Sequence, residues 1–466
     1  MTWRGAARAW RACGLGMLLA ATACSDGASS SPDTHDAAMD TGAEVAVEVA
    51  ADATPEVVAG VAPRVEQRGA FTVVWLRGTP YEMGQQQGQL LHEVIADAMQ
   101  FVADDPLLSA LPVLAAKKGL LDLARANSYP QLLDECQGLV DATADVGFSM
   151  DFCLSLNFGD VILEFLTHGM PTDDVGPGCS QIVASGDATP DGRLYHGRNL
   201  DWGGMNMDFV NRYPVIFVRQ PTGEIPHVYV GFPMNLSPYT GLNAAGVSSA
   251  SNEVHPLGTS EQALTGRSHV QMQARLLATA HTAAEARAFL ETEPSMSCEL
   301  LVVADGNARD GFVAELTAAH RFFRPLEQGV VFQTNHFASP QMDPFDLPRD
   351  PATDDNSILR FERLSQLVPQ GGAETRWGTL APAGLAGVLR DRHNPRTGVE
   401  APDGTLDDGM GLGTNGLMHQ VLFDPAAGLF WVAAGTPPIY QIPWTCFSLG
   451  ELLQEPGAAP CPAALP

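Results

Sequence analysis

The chain has 466 residues, 45% of them hydrophobic, so it can bury a sizeable core, and its 54 acidic and 26 basic side chains leave a formal charge of -28. So acidic a chain excludes nucleic acid as an expected partner, because phosphate binding needs basic surface, and the charge is read as a solubility feature. Its eight cysteines form no CxxC pair and no Cys/His cluster at zinc spacing, so neither a metal nor a cofactor is expected.

In chain order, Arg4, Arg8 and Arg11 precede the apolar run GLGMLLAATA, which ends at Cys24. That order over residues 1–23 reads as an export signal, too short to persist as a membrane-spanning helix. Ala21, Thr22 and Ala23 before Cys24 resemble a bacterial lipobox, which implies cleavage ahead of Cys24 and lipidation of its thiol. An ordinary secretory signal cut near the same alanines is the alternative. Both readings export the protein, and a lipid on Cys24 would hold it to a membrane facing the periplasm or the cell surface. Residues 24–70 are rich in Ala, Ser, Asp, Glu, Thr and Pro. Such a composition cannot offset its ordering entropy by burial, so this stretch reads as a flexible tether.

FTVVWL (71–76) reads as a strand, and GTPYEMGQQQGQLLHEVIADAMQFV as one helix. Thr79 can cap it, Pro80 suits its first position, and Glu82 completes a capping box. Further helical patterns, LPVLAAKKGLLDLARA and YPQLLDECQGLVDATADV, make residues 71–178 a mostly helical segment. From Cys179 the pattern turns to short strands. SQIVA with RLYHGRNL, YPVIFVRQ with IPHVYVGF, and the two halves of HQVLFDPAAGLFWVAAG read as hairpins. QALTGRSHVQMQARLLATAHTAAEARAFLE reads as a long helix, followed by the strands ELLVVAD, GFVAEL, HRFFRP and GVVFQTN and the helix NSILRFERLSQLV. Strands in two groups separated by helices point to two antiparallel sheets with helical outer layers over 179–466.

Cys179 stands out by its address, directly after Gly178 at the junction of the helical and β-rich segments. Gly178 has no side chain to block approach to its carbonyl, so the Cys179 thiol could attack that peptide bond and free its own α-amine. An α-amine of ordinary pKa, about 7.7 to 8.0, can accept the thiol proton near neutral pH, so the nucleophile would carry its own base. The competing use of the thiol is a papain-like pair with His196 or His336.

In this setting GCSQIVASGDATPDGRLYHGRNLDW resembles the start of the mature chain in cysteine N-terminal-nucleophile hydrolases, specifically the acyl-coenzyme A:6-aminopenicillanic acid (isopenicillin N) acyltransferases. Acid ceramidase and choloylglycine (bile-salt) hydrolase are more distant relatives. GTPYEMGQQQG resembles the G-x-x-y-e-x-G-x-q-x-G opening of that family's propeptide. YTGLNAAGVSSASN, ADGNARDGFVAEL, FQTNHF and HQVLFDP match later blocks in the same order. The resemblance implies an α+β fold, a four-layer αββα sandwich of two antiparallel sheets over 179–466. Residues 71–178 would be a propeptide or small subunit that stays associated after cleavage.

The resemblance further implies Cys179 as nucleophile of both self-cleavage and acyl transfer, with Gly178–Cys179 as the cut bond. Asp201 would hold the freed amine, and Arg198 would fix that carboxylate or a substrate carboxyl. A regular strand puts Arg198 and Asp201 on opposite faces, so the run must bend or end before Asp201 if both serve one site. A hairpin-end salt bridge is the plainer use of the two. Asn252 and Asn335 match the two oxyanion donors, and Arg360 a second active-site arginine, with Arg363 competing three residues on. Glu315 matches a recurrent family position and is left outside the site.

The expected reaction is cleavage of a linear amide in a small N-acyl compound through a thioester on Cys179. Water is favoured over an amine acceptor because an exported protein meets little coenzyme A. The alternatives are a non-catalytic surface-binding lipoprotein and a papain-like protease. Among the cysteines, Cys446 with Cys461 is a candidate disulfide, and the pairing of Cys136, Cys153 and Cys298 stays open.

Overall fold

The computed structural model describes residues 60–158, 161–162, 165, 178–201, 208–255, 259–347, 356–402, 411–462 and 465. The expected export signal, Cys24 and most of the tether lie outside the described residues. Strand structure begins ahead of the boundary placed at 71. β1 (Arg64–Arg68) pairs antiparallel with β2 (Phe71–Gly78) across a tight turn whose Gly69 has φ 62°. The tether expected over 24–70 therefore stops short of Arg64.

Thr79 caps α1 (Pro80–Leu90), accepting from Glu82 N while the Glu82 carboxylate takes the Thr79 N–H at 2.7 Å, the reciprocal box read from the sequence. The single helix expected beyond it breaks at Leu91, whose backbone leaves the helical region at φ -111° and ψ 15°, and α2 (His92–Asp104) follows. Tertiary packing explains the break. α1 crosses α5 (Pro130–Thr143) backbone to backbone, because a Cβ on Gly84 would overlap the Glu135 carbonyl and one on Gly138 the Tyr81 carbonyl. The chain then turns so that Ile95, Ala98 and Val102 of α2 join the same core as Met83 and Leu139. Between them, α3 (Pro106–Lys117) and α4 (Leu120–Asn127) replace another expected single helix, divided by Gly119 at φ 72°. α6 (Met150–Asn157) is joined to α5 by the Cys136–Cys153 disulfide.

Next come β3 (Ser180–Gly186) and β4 (Gly192–Asp201), then α7 (Asp208–Arg212), β5 (Val215–Pro221), β6 (His227–Gly231), β7 (Thr240–Asn243) and β8 (Val247–Asn252). The long helix expected after them is two, α8 (His269–Thr279) and α9 (Ala283–Thr292), because Thr282 accepts from Glu285 N and starts a new helix. β9 (Glu299–Asp305), β10 (Asp310–Leu316), β11 (Arg321–Pro325), β12 (Val330–Gln333), α10 (Asn356–Leu367), α11 (Pro382–Leu389), β13 (Leu417–Asp424), β14 (Leu429–Ala434), β15 (Thr445–Ser448) and α12 (Leu449–Leu452) complete the order. Cys446 and Cys461 are disulfide-bonded, and Cys179 and Cys298 are buried free thiols.

The strands form a nine-stranded sheet in the order β1-β2-β5-β6-β7-β8-β9-β10-β11 and a six-stranded sheet in the order β12-β3-β4-β13-β14-β15. All three expected hairpins are present. The first sheet departs from the expected antiparallel plan at one place, where β2 runs parallel to β5. The chain between those strands, helices and the β3–β4 hairpin, is long enough for the crossover a parallel pair requires.

The layers follow from which faces are apolar. Val73, Trp75, Ile216 and Val218 of the larger sheet pack on Val421, Phe423, Phe430 and Val432 of the smaller. One residue out of step, Val74, Leu76, Val215 and Phe217 face outward onto the core of α1, α2 and α5. At the far strands, Leu301 and Val303 meet Met272 and Leu276 of α8 and Leu290 of α9. The outer face of the smaller sheet, Ile182, Leu422 and Trp431, packs on Leu364 of α10 and Leu385 and Leu389 of α11. The fold is α+β, with helices outside two stacked sheets, the αββα arrangement the resemblance implies. Residues 71–178 are not a separate body: they supply β2, and their helices cover one face of the larger sheet within the compact unit Val58–Pro466. Among the described residues no helix is long and apolar enough to cross a membrane.

Candidate active site

Cys179 immediately precedes β3, and the ends of β4, β8 and β12 meet it at one corner of the sandwich. Residues opposite each other on paired strands share a face, so Gln181, Arg198 and Leu200 turn toward the larger sheet. Cys179 is 5% exposed and packs against Leu200 and Met418. Its thiol points to the Asp201 backbone carbonyl at 3.9 Å.

Arg198 is fully buried. Its Nη2 donates to Cys179 Sγ at 3.5 Å and its Nη1 to Asn252 Oδ1 at 2.7 Å. The guanidinium thus sets a permanent positive charge against the sulfur. Asn252 Oδ1 also accepts from Gln181 Nε2 at 2.8 Å, while the Asn252 amide nitrogen donates to the carbonyls of Thr334 at 2.9 Å and Gln333 at 3.4 Å. Asn252 thus meets Arg198 through its oxygen and the end of β12 through its nitrogen.

Neither histidine of the papain-like alternative bonds to the sulfur. His196 Nε2 lies 3.0 Å from Gln181 Oε1 and Nδ1 3.0 Å from Ser248 Oγ, and His336 Nδ1 lies 2.8 Å from Ser357 Oγ. Burial, with the charge of Arg198 adding to it, pushes the His196 pKa down to about 3, so this ring is neutral near pH 7.

On the other side of the cysteine, Arg360 of α10 donates to the Cys179 carbonyl, to Ser180 Oγ at 2.8 Å and to Asn335 Oδ1 at 2.8 Å. Asn356, one turn earlier on the helix, accepts from Arg360 Nε at 2.8 Å and from Gly178 N at 3.4 Å. Arg363 does not enter the corner; its guanidinium is taken by Asp391 and Glu374. Of the two arginines, Arg360 is the one that reaches Cys179. A Cβ on Gly178 would collide with Asn335 Oδ1 and lie 3.1 Å from Arg360 Nη2, so glycine at 178 is a packing requirement of this corner.

Asn335 follows β12, and its Nδ2 donates to the Glu253 carbonyl at 2.8 Å. The loop after it is tied down by fully buried Glu315, which accepts from Ala338 N at 3.1 Å, Ser339 N at 3.2 Å and Arg324 Nε at 2.6 Å. Glu315 acts as a holder of that loop.

The expectation that the chain must bend before Asp201 is met differently. β4 stays in register through Asp201, and the irregularity lies in the facing strand, between Leu417 and His419. Asp201 consequently offers its backbone carbonyl to the thiol, while its carboxylate accepts from Thr414 Oγ1. Arg198 makes no ion pair among the described residues, so the hairpin-end salt bridge is absent there.

Gln181, Asn356 and Thr414 were not singled out by sequence. Gln181 had a usable signal, since two residues beyond Cys179 on a strand is the same face. Asn356 and Thr414 had none, being brought in by loops. On the far side of Leu200 and Met418, which pack on Cys179, a small recess is lined by these two residues with Val210, Phe232, Tyr239 and His419, among others. No group of three or more His, Cys, Asp or Glu side chains among the described residues could hold a metal ion.

Residues 188–403 match the model of the acyl-coenzyme A:6-aminopenicillanic acid acyl-transferase family. That match covers a little under half of the chain. The matched stretch contains Arg198, Asp201, Asn252, Asn335 and Arg360, and begins after Cys179. An uncharacterized protein of Archaeoglobus fulgidus is 27% identical over 205 residues, 40% of this chain, which spans only 33% of that relative's length. Among solved structures, an ortholog of N-acylethanolamine-hydrolyzing acid amidase from Caenorhabditis elegans is similar at 17% identity and TM-score 0.37, over 58% of this chain and 99% of that one. A conjugated bile acid hydrolase from Clostridium perfringens is similar at 11% identity and TM-score 0.33, over 59% of this chain and 93% of that one.

Proposed function

We propose that the chain is an exported, self-cleaving amide hydrolase that uses Cys179 first on its own backbone and then on N-acyl compounds. In the first step Sγ attacks the Gly178 carbonyl carbon, the bond to Cys179 N breaks, and a thioester forms as the α-amine is freed. Water then hydrolyses the thioester, leaving a carboxylate on Gly178 and the thiol on Cys179. In turnover the same sulfur attacks the substrate acyl carbon, with the α-amine as proton acceptor. The substrate amine leaves with a proton, and water releases the acid. Asn335 is the oxyanion donor in this reading, Arg198 opposes charge on the sulfur, and Arg360 fixes the Cys179 backbone. Asp201 receives the freed amine through a charge-assisted hydrogen bond.

The observation that carries this reading is the convergence on one cysteine, thiol and backbone carbonyl together, of groups 19 to 181 residues away in sequence, with no imidazole bonded to the sulfur among the described residues. Leu200, Met418 and Val210, the apolar side chains packed around Cys179, favour a hydrocarbon over a charged acyl group. β2 pairs with β5 inside the larger sheet, and Arg219 grips Glu135 with two bonds of 2.6 Å, so the two fragments stay together after the cut. The Arg-then-apolar N-terminus, Cys24, and two disulfides support an exported, lipid-anchored protein, since disulfides persist in oxidising compartments. The test is a panel of N-acyl amino acids, N-acylethanolamines and bile-acid conjugates, with intact-mass analysis of acid-quenched enzyme. One acyl adduct on Cys179 and release of free acid are expected. Turnover by Cys179→Ala at the wild-type rate would refute the reading.

A further inference from the structure

One polar ring stands in the recess with half of its hydrogen-bonding capacity unused. His419 on β13 lies opposite Leu200 on β4, and the β3–β4 register carried back one residue puts Cys179 opposite Leu200. Sulfur, leucine and imidazole therefore form one row across three neighbouring strands, on the face that looks toward the larger sheet. There His419 Nε2 lies 3.0 Å from Thr240 Oγ1. Nδ1 has no hydrogen-bond partner among the described residues, although the side chain is only 5% exposed and lines the recess.

His419 Nδ1 is thus a hydrogen-bonding atom without a protein partner among the described residues, set in a wall otherwise formed by Leu200, Val210, Phe232 and Met418, and a polar group of a ligand that enters the recess can meet it. Burial, reinforced by the charge of Arg198, holds the His419 pKa well below the ordinary imidazole value. The ring is thus a neutral hydrogen-bonding group near pH 7. Its tautomer follows the Thr240 contact: if the threonine hydroxyl donates, Nδ1 is a donor, and if Nε2 donates, Nδ1 is an acceptor. A hydroxyl serves either case.

We propose that His419 Nδ1 reads a hydroxyl on the acyl group, so that the favoured substrates are N-acyl amides whose acyl chain is hydroxylated a few carbons beyond the carbonyl. The inference rests on the reading that the recess takes the acyl chain of a Cys179 thioester. Two strand spacings, about 10 Å, separate the cysteine and histidine backbones. That span holds the sulfur–carbonyl bond, a few carbons and one hydrogen bond.

The experiment compares kcat/KM for N-acylglycines of one chain length carrying no hydroxyl or a hydroxyl at carbon 3, 4 or 5. Wild type should favour one hydroxylated isomer over the plain chain by about tenfold, the worth of one buried hydrogen bond. In His419→Gln, whose amide reaches the Nε2 position and keeps Thr240 company, the ratio should fall to about one. In His419→Asn, whose amide falls near Nδ1, part of the preference should survive. Wild-type inhibition by the free product acids gives a check that needs no variant: the favoured hydroxy acid should bind about tenfold tighter than the plain acid.

A wild-type ratio near one would overturn the proposal. So would a His419→Gln variant that slows every substrate by the same factor, since that marks a purely structural histidine. Absence of any turnover and of any acyl adduct on Cys179 would overturn the underlying hydrolase reading as well, and is distinguishable from turnover without preference.

Discussion

Arg198 and Arg219 are both buried on strands, 0% and 5% exposed, yet their surroundings differ in kind. Arg219 gives both arms of its fork to the Glu135 carboxylate, and Tyr229 stacks below it in a pocket between the helices and the larger sheet. Burial alone would lower its pKa, but the facing carboxylate outweighs that and raises it. Arg198 has only an amide oxygen and a sulfur for partners, with no ion pair among the described residues. A buried charge without a countercharge is expensive, so a fold keeps it only where the charge acts on something. The seam at Arg219 is built to hold two segments together, and the corner at Arg198 to act on Cys179.

The largest expected effect is at the seam. Glu135→Gln or Arg219→Met should lower the unfolding free energy by about 3–5 kcal/mol, because each strands its buried partner, and the double variant Glu135→Leu with Arg219→Met should recover most of it. Urea titrations of the four proteins measure this, and the comparison breaks if the single variants stay stable but lose turnover. Arg198→Met should do the reverse, lowering kcat/KM about a hundredfold with little loss of stability, since preorganised charge at a reacting atom is worth about that much. Steady-state kinetics beside thermal unfolding separates the two.

A smaller effect falls on maturation. Gly178→Ala should slow self-cleavage about tenfold, a barrier increase of about 1.4 kcal/mol, by pushing Asn335 and Arg360 aside. The fraction cut over time on denaturing gels reads it. The smallest expected effect concerns Arg363, whose carboxylate pairing resembles that of Arg219. Burial by itself would raise the Asp391 pKa, but hydrogen bonds from Arg363 overcome it and bring it below the usual value. A carboxyl lowered in the folded state adds stability above its unfolded pKa, about 3.9, and that contribution drains away as pH falls through the folded value. Wild type should thus lose more stability than Asp391→Asn between pH 5 and pH 2 in urea titrations.

Local chemistry was legible in the sequence where one residue acts on its neighbours. Thr79 with Glu82 announced a helix start, and the three hairpins announced themselves by alternation and turn residues. Gly178–Cys179 was legible from its place at the junction of the helical and β-rich segments, the five polar residues attributed to the site came from the resemblance, and the structure brings them to one corner. What could not be read depends on contacts across the fold. The break at Leu91 follows from the close crossing of α1 and α5 at Gly84 and Gly138, which makes part of the GTPYEMGQQQG stretch a helix-packing device. β12 could not be assigned beside β3 because 147 residues lie between the paired positions Val331 and Val183 in a chain that visits the other sheet first. The setting of Asn252 was out of reach for the same reason: its amide meets carbonyls from 81 and 82 residues further along.

The most direct measurement is the intact mass and N-terminal residue of freshly purified wild type beside Cys179→Ala. The account predicts a wild-type fragment that begins at Cys179 and co-purifies with its N-terminal partner, and a single unbroken chain for the variant. Wild-type protein that releases acid from N-acyl compounds at an undiminished rate with the bond between residues 178 and 179 intact would contradict it.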